Sequence, residues 1–233
     1  MREATSARSP RAELAAVAAR GVSWSEYLRR VPASAEPGRA AAVLVLFGAL
    51  DSLPAQRRAA AVPADLDVLL VGRATTLTHH SGQIAFPGGR LDPGDAGPAD
   101  AALREAVEET GLDPRGVELL GMLPELPVTA SDHVVTPVLA WWASPSPVAV
   151  VDLGESAAVF RAPVADLLDP ERRRTAVDRR GGGVVYGSPA FVIGPHVVWG
   201  FTAIVLSTLF DELGWTEPWD PGRTMDAPIG SRR

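Results

Sequence analysis

Gly88-Gly89-Arg90-Leu91-Asp92-Pro93-Gly94-Asp95 leads into residues 99–112, a run with helical period. The two glycines permit a sharp turn and close backbone approach. Behind them, Ala99, Ala102, Leu103, Ala106, Val107 and Thr110 fall on the i, i+3, i+4 pattern of a stripe that packs on a sheet, and Gly111 is placed as the helix's C-terminal cap. Glu105, Glu108 and Glu109 stand on another face, at the spacing that lets carboxylates converge. Like charges so spaced cost a few tenths of a kcal/mol per pair, and Arg104, four residues before Glu108, offsets only part of that. A hard divalent cation would offset the rest, since Mg²⁺ or Mn²⁺ is held by a few carboxylates together with substrate phosphates. On their own the three glutamates read as a solvated acidic face, the commoner case. The frame around them favours a metal site: glycines before, Asp95 in the loop, arginine adjacent, glycine after.

Working outward, residues 10–19 read as a helix entered through Ser9-Pro10 and closed by Gly21, with a second short helix over 25–30. Residues 31–39 form a Pro/Ala/Gly linker. Strands are expected over 41–47, 66–71, 83–86, 117–123, 134–142 and 157–162, with shorter strand-like pieces at 184–186, 191–193 and 196–199. A short helix at 164–168 precedes an arginine-rich loop, and 201–213 is a last amphipathic helix. This order predicts an N-terminal helical arm and linker (1–38), a domain of class α/β or α+β over 39–215, and a mobile C-terminal tail (216–233). There is no internal repeat and no GxGxxG.

Of 233 residues, 46% are hydrophobic and 21% charged, a globular balance with enough chain for one sizeable core. The net charge of −6 argues against a nucleic-acid binder or an acidic-membrane binder, which need a basic excess. The absence of cysteine excludes disulfides, a thiol nucleophile and cysteine-based zinc sites. The absence of lysine excludes a Walker loop and Schiff-base chemistry, so arginine supplies all 22 basic residues. The longest apolar run, 40–50, is too short for a bilayer, which needs roughly 20 residues. Residues 1–10 are polar and lack an apolar signal core, and the expectation is a cytoplasmic protein.

The segment beginning at Gly89 resembles the signature of the Nudix hydrolase superfamily, G-x5-E-x7-R-E-U-x-E-E-x-G-U, with U aliphatic. Gly89, Arg104-Glu105-Ala106, Glu108-Glu109 and Gly111-Leu112 match. Asp95 replaces the first glutamate, and eight residues rather than seven separate it from Arg104. Upstream, the run from Arg73 to Gly89 is similar to R-[SA]-x-x-L-x-x-H-x-G-Q-[VI]-x-F-P-G-G of the coenzyme A pyrophosphatase branch, where the same two departures occur. Val135-Thr136-Pro137-Val138, Glu155 ahead of Phe160, and Val198-Trp199-Gly200-Phe201 extend the resemblance, which runs from about Arg39 to Leu213.

The resemblance implies an α/β/α sandwich with a mixed central sheet and hydrolysis of a nucleoside diphosphate linked to another moiety. It implies Glu105, Glu108 and Glu109 as metal ligands for Mg²⁺ or Mn²⁺, and Arg104 as the residue that orients a glutamate. Glu109 and Glu155 both qualify as general base. Asp95 is either an outer ligand of the cation or a loop residue. Arg73, His80, Gln83, Gly88 and Gly89 are implied in substrate binding, and Arg172–Arg174 either meet a 3′-phosphate or form a solvated charged loop. His79-His80 is not metal-like, because neighbours on an extended strand face opposite ways. The implied substrate is a coenzyme A-like nucleotide, with no nucleic-acid or membrane partner and room for a homodimer. Rival readings are the same chemistry on ADP-ribose, a dinucleotide or a nucleoside triphosphate, a non-hydrolytic nucleotide sensor, and a partner-binding protein using its N-terminal helices.

Overall fold

The first expected strand forms the middle of β1 (Arg39–Ala49), and its alternation organises the molecule. Ala42, Leu44 and Leu46 enter one core while Val45 and Phe47 enter another, as the period of two in a strand requires. The structure, a computed structural model, describes residues 9–29, 38–49, 55–74, 83–128, 131–154, 156–180 and 183–228, so His79, His80 and Glu155 lie outside the described residues. The other elements are α1 (Pro10–Arg20), α2 (Ser25–Leu28), β2 (Leu66–Arg73), β3 (Ile84–Ala85), β4 (Gly88–Arg90), α3 (Pro98–Thr110), β5 (Val117–Met122), β6 (Leu126–Val128), β7 (His133–Trp142) and β8 (Ser156–Pro163). After them come α4 (Val164–Leu167), β9 (Arg173–Arg180), β10 (Gly183–Ile193), β11 (His196–Val198), α5 (Gly200–Leu213) and β12 (Thr224–Asp226).

The main sheet runs β3-β2-β1-β7-β5, with β4 on β1, β6 on β7 and β8 on β2. It is mixed, because β1 pairs parallel with β7 and antiparallel with β2. A strand buried on both faces needs a nearly continuous apolar run, which β1 and β2 supply. On one face lies α3, whose Ala101, Ala102 and Ala106 pack with Ala42, Leu44, Leu46 and Leu69. On the other lie α1 and α5, where Leu14, Val17, Val205, Leu206 and Leu209 pack with Val45, Phe47, Val68 and Leu70. This is the expected α/β/α sandwich.

A second sheet, β11-β10-β9-β12, departs from the sequence reading. The stretch read as an arginine-rich loop contains β9, which forms a hairpin with β10. Thr224–Asp226, inside the segment expected as a tail, pair parallel with Thr175–Val177. The hairpin is held to the rest by Phe191, buried edge-on against Phe210 of α5 at a ring separation of 6.0 Å. The helices of the N-terminal segment are docked as well. Arg11 pairs with Glu118 on β5, Arg20 with Glu212 on α5, and Trp24 Nε1 donates to the Pro124 carbonyl at 2.7 Å.

Candidate active site

Helix α3 starts with Pro98 and stops at Gly111, whose φ of 69° is left-handed and whose N–H donates to the Val107 carbonyl. Its buried side chains are Ala101, Ala102, Ala106 and Thr110, while Leu103 and Val107 are only partly buried. The expected stripe packs on the sheet, with Ala101 added to it, and Glu105 and Glu109 lie at its flank, facing β4. Glu105 lies directly on Gly89: a Cβ there would sit 2.4 Å from the Glu105 carboxylate. Glu109 Oε2 accepts the Gly88 N–H at 3.0 Å. A Cβ on Gly88 would lie 2.4 Å from the Ala42 carbonyl oxygen and 2.6 Å from Val43 Cα. The paired glycines thus serve two purposes: Gly88 lets β4 lie on β1, and Gly89 makes room for a carboxylate.

Arg104 organises the acids. Its Nε donates to Asp95 Oδ1 at 3.0 Å and its Nη2 to Asp95 Oδ2 at 3.1 Å, a fork on a carboxylate. Nη2 also donates to the Arg90 carbonyl at 3.1 Å, and Nη1 donates to Glu105 Oε1 at 3.1 Å and to Glu108 Oε2 at 3.2 Å. Asp95 is fixed from its own side by a tight turn: its N–H donates to the Asp92 carbonyl at 3.0 Å, and its Oδ2 accepts the Asp92 N–H at 2.7 Å. The Arg104 hydrogen bonds, helped by the Asp92 N–H, hold the Asp95 carboxyl below the usual range. Desolvation pushes Glu105 the other way, above its ordinary value, against the pull of Arg104. Of the two readings left open for Asp95, the geometry adds a third: it is the partner of Arg104.

The three glutamates are not gathered equally. Glu105 and Glu108 meet at one nitrogen, Arg104 Nη1, while Glu109 turns to Gly88. Among the described residues, no three acidic or histidine side chains form a ready cation cage. The donors are nonetheless carboxylate oxygens from one turn of helix, the chemistry a hard divalent ion takes, and two of them already share a cationic centre. The residues fit such an ion as donors.

Arg73 ends β2, and its N–H donates to the Gln83 carbonyl at 2.9 Å; its Nε is buried without a hydrogen-bond partner. Across the sheet it registers with Ser156, the neighbour of Glu155. Gln83 leads into β3 and borders a cavity of about 200 Å³ with His196 and Trp199. Arg172–Arg174 do not act as one patch. Arg172 sits among Asp166, Asp169 and Gln56, Arg174 donates to the carbonyls of Glu171 and Arg173, and Arg173 is buried. Sequence reading also passed over Asp67 and Arg161, a buried pair at 2.7 Å whose guanidinium lies 4.6 Å from the Trp142 ring centroid. The signal was available: a carboxylate inside an apolar strand needs a partner.

A strand, turn and acidic helix with one arginine collecting the carboxylates gives a site rich in hard oxygen donors, the kind a divalent cation and an anionic substrate would share. A family model described as the NUDIX domain matches residues 54–179, more than half of the chain. A protein of Salmonella paratyphi B described as "Uncharacterized Nudix hydrolase NudL" is 37% identical over 154 residues, spanning 63% of this chain and 75% of that protein. The Salmonella newport protein of the same description matches to the same extent. Among solved structures, the Nudix hydrolase RenU from M. smegmatis is 26% identical over 54% of this chain and 70% of its own, with a TM-score of 0.40. A MutT/nudix family protein from Enterococcus faecalis is 18% identical, covers 88% and 75%, and has a TM-score of 0.47. The chain belongs to the Nudix hydrolase family, whose members generally use divalent cations. No described helix is long and apolar enough to cross a membrane.

Proposed function

We propose that this enzyme cleaves the diphosphate of coenzyme A or its thioesters to 4′-phosphopantetheine, or its acyl form, and adenosine 3′,5′-bisphosphate, with Mg²⁺ or Mn²⁺ as cation. The observation that carries the substrate is the run from Arg73 to Gly89, which resembles the coenzyme A branch and ends against the acidic helix. Glu105, Glu108 and Glu109 are the residues that would hold the cation. When bound, a divalent cation supplies positive charge against the diphosphate oxygens and acidifies the attacking water.

The chain's own residues do the rest. Arg104 positions Asp95, Glu105 and Glu108, and ties the middle of the helix to β4 through the Arg90 carbonyl. Gly88 and Gly89 keep the approach to the carboxylates free of side chains. Arg73, at the end of β2 beside Gln83, is the guanidinium of this run that would meet a phosphate oxygen. Glu109 and Glu155 are the two candidates to take the proton from water. Single Glu→Gln variants separate them, since the base variant loses kcat and flattens the acidic limb of the pH profile.

The deciding experiment is a panel of diphosphate substrates with Mg²⁺ or Mn²⁺, products identified by mass. Coenzyme A or an acyl form should give the highest kcat/KM and the two stated products. Higher kcat/KM on ADP-ribose, a dinucleotide or a nucleoside triphosphate overturns the substrate while leaving the hydrolase class intact.

A further inference from the structure

On the face of the main sheet opposite α3, a cavity of about 370 Å³ opens between α2, α5, the β9–β10 hairpin and the chain leading to β12. Its walls include Trp24, Tyr27, Ile204 and Trp219, and its polar lining includes Ser188 and Ser207. Behind that lining stands Arg173, only 1% exposed. Its guanidinium carbon lies 4.6 Å from the centroid of the Trp219 ring and 4.9 Å from that of Phe191, and its Nη2 donates to Ser207 Oγ at 2.8 Å. Its Nε and Nη1 have no hydrogen-bond partner, and the buried Ser188 Oγ has none either. No carboxylate among the described residues reaches it as an ion pair; Asp211 acts on it only through space.

A buried guanidinium with unused donors is costly unless something supplies negative charge. The two carboxylates bordering the cavity, Glu26 and Asp211, are both exposed, where solvent screens them. Polarity therefore runs with depth: acidic and wet at the rim, cationic and dry at the floor. Ser207 accepts from Arg173, which leaves its own hydroxyl hydrogen to donate into the cavity.

We propose that this cavity is a second binding site, for a small organic carboxylate whose apolar body lies among the aromatic walls and whose charge is met by the Ser207 hydroxyl backed by Arg173. The volume falls in the range of small-molecule pockets, and the lining offers aromatic rings beside hydroxyl groups, the two kinds of surface such a ligand needs. The site is separate from the acidic helix and does not depend on which nucleotide the enzyme hydrolyses.

The test is calorimetric titration of the whole protein with three probes of one shape: indole-3-propionate, its amide, and the amine tryptamine. The carboxylate should bind, raise the melting temperature, and exceed the amide by roughly tenfold or more, the effect of a charge-assisted hydrogen bond. Arg173→Met, which removes the charge at similar length, should erase that preference. Ser207→Val serves as the second variant: it removes the hydroxyl that accepts from Arg173 and faces the cavity, while leaving the arginine's charge in place. It too should bring the carboxylate down to the amide. No binding by the carboxylate at millimolar concentration, equal binding of acid and amide, or preference for the amine each overturns the proposal. A preference that survives both substitutions overturns it as well.

Discussion

Arg104 grips Asp95 with two nearly parallel hydrogen bonds, 3.0 Å from Nε and 3.1 Å from Nη2, across nine residues of sequence. The fork ties the loop after β4 to the middle of α3, so the arginine's first partner is an acid in the loop and not a glutamate of its own helix. A planar fork depends on shape as well as charge, and an ammonium cannot reproduce it. Arg104→Lys should therefore keep the fold and lose about one to two powers of ten in kcat/KM, matching roughly 1.5–3 kcal/mol for the charged hydrogen bonds it gives up. Steady-state kinetics beside a thermal melt check this; wild-type kcat/KM in the lysine variant would remove Arg104 from any positioning role.

The same fork sets an acid limit on stability. Asp95 binds its proton less readily in the folded chain than in the unfolded one, because Arg104 and the Asp92 N–H favour its ionised form. Its stabilisation is complete above the unfolded value of about 3.9 and is lost as pH falls through the lower, folded value. Melting temperature measured from pH 5 downward should drop more steeply for the wild type than for Asp95→Asn, which has no such proton to gain.

Gly88 and Gly89 should fail differently when given a methyl group. In Gly88→Ala the new carbon meets the backbone of β1, so the strand pairing is strained, at a cost of about 1–3 kcal/mol or more. In Gly89→Ala it meets the end of the Glu105 side chain, which can swing away. That variant should melt near the wild type yet need more divalent cation for half-maximal activity. Equal melting temperatures for the two alanine variants would contradict this division.

Glu108→Gln and Glu109→Gln should both fold and both lose activity, by about 10²–10⁴-fold if a positioned acid or base is removed and by more if the cation is lost with it. Excess chelator should silence the wild type. Full activity in chelator, or wild-type turnover in both glutamine variants, would return the acidic face to a solvent-facing role.

The Asp67–Arg161 pair links β2 to β8 and should tolerate no half measures. Asp67→Ala leaves a buried guanidinium unpaired and should cost about 3–5 kcal/mol in denaturant unfolding, whereas replacing both partners with apolar residues should restore much of it.

The sandwich was legible because its strands are apolar runs of strand length and its signature helix is periodic and closed by Gly111. The stripe on α3 packs as its period predicts, and Ala101 joins it on the buried side because an alanine fits at the seam. What escaped had a physical reason in each case. Asp95 stayed open because its fork is a tertiary contact, set by a turn geometry that residue identity alone does not fix. Residues 173–180 read as a loop because their arginines hide an alternation completed only by pairing with β10 and β12. Arginine burial beside Trp219 and Phe191 leaves no local mark at all.

The alternation in β1 carries one more consequence. Because 42, 44 and 46 belong to the layer under the signature helix and 45 and 47 to the layer under α5, the strand acts as a shared wall between two rooms. Deleting or inserting a single residue within it would send every side chain downstream into the opposite room. Both interiors would be ruined together, although a substitution at any one position disturbs only the side it faces.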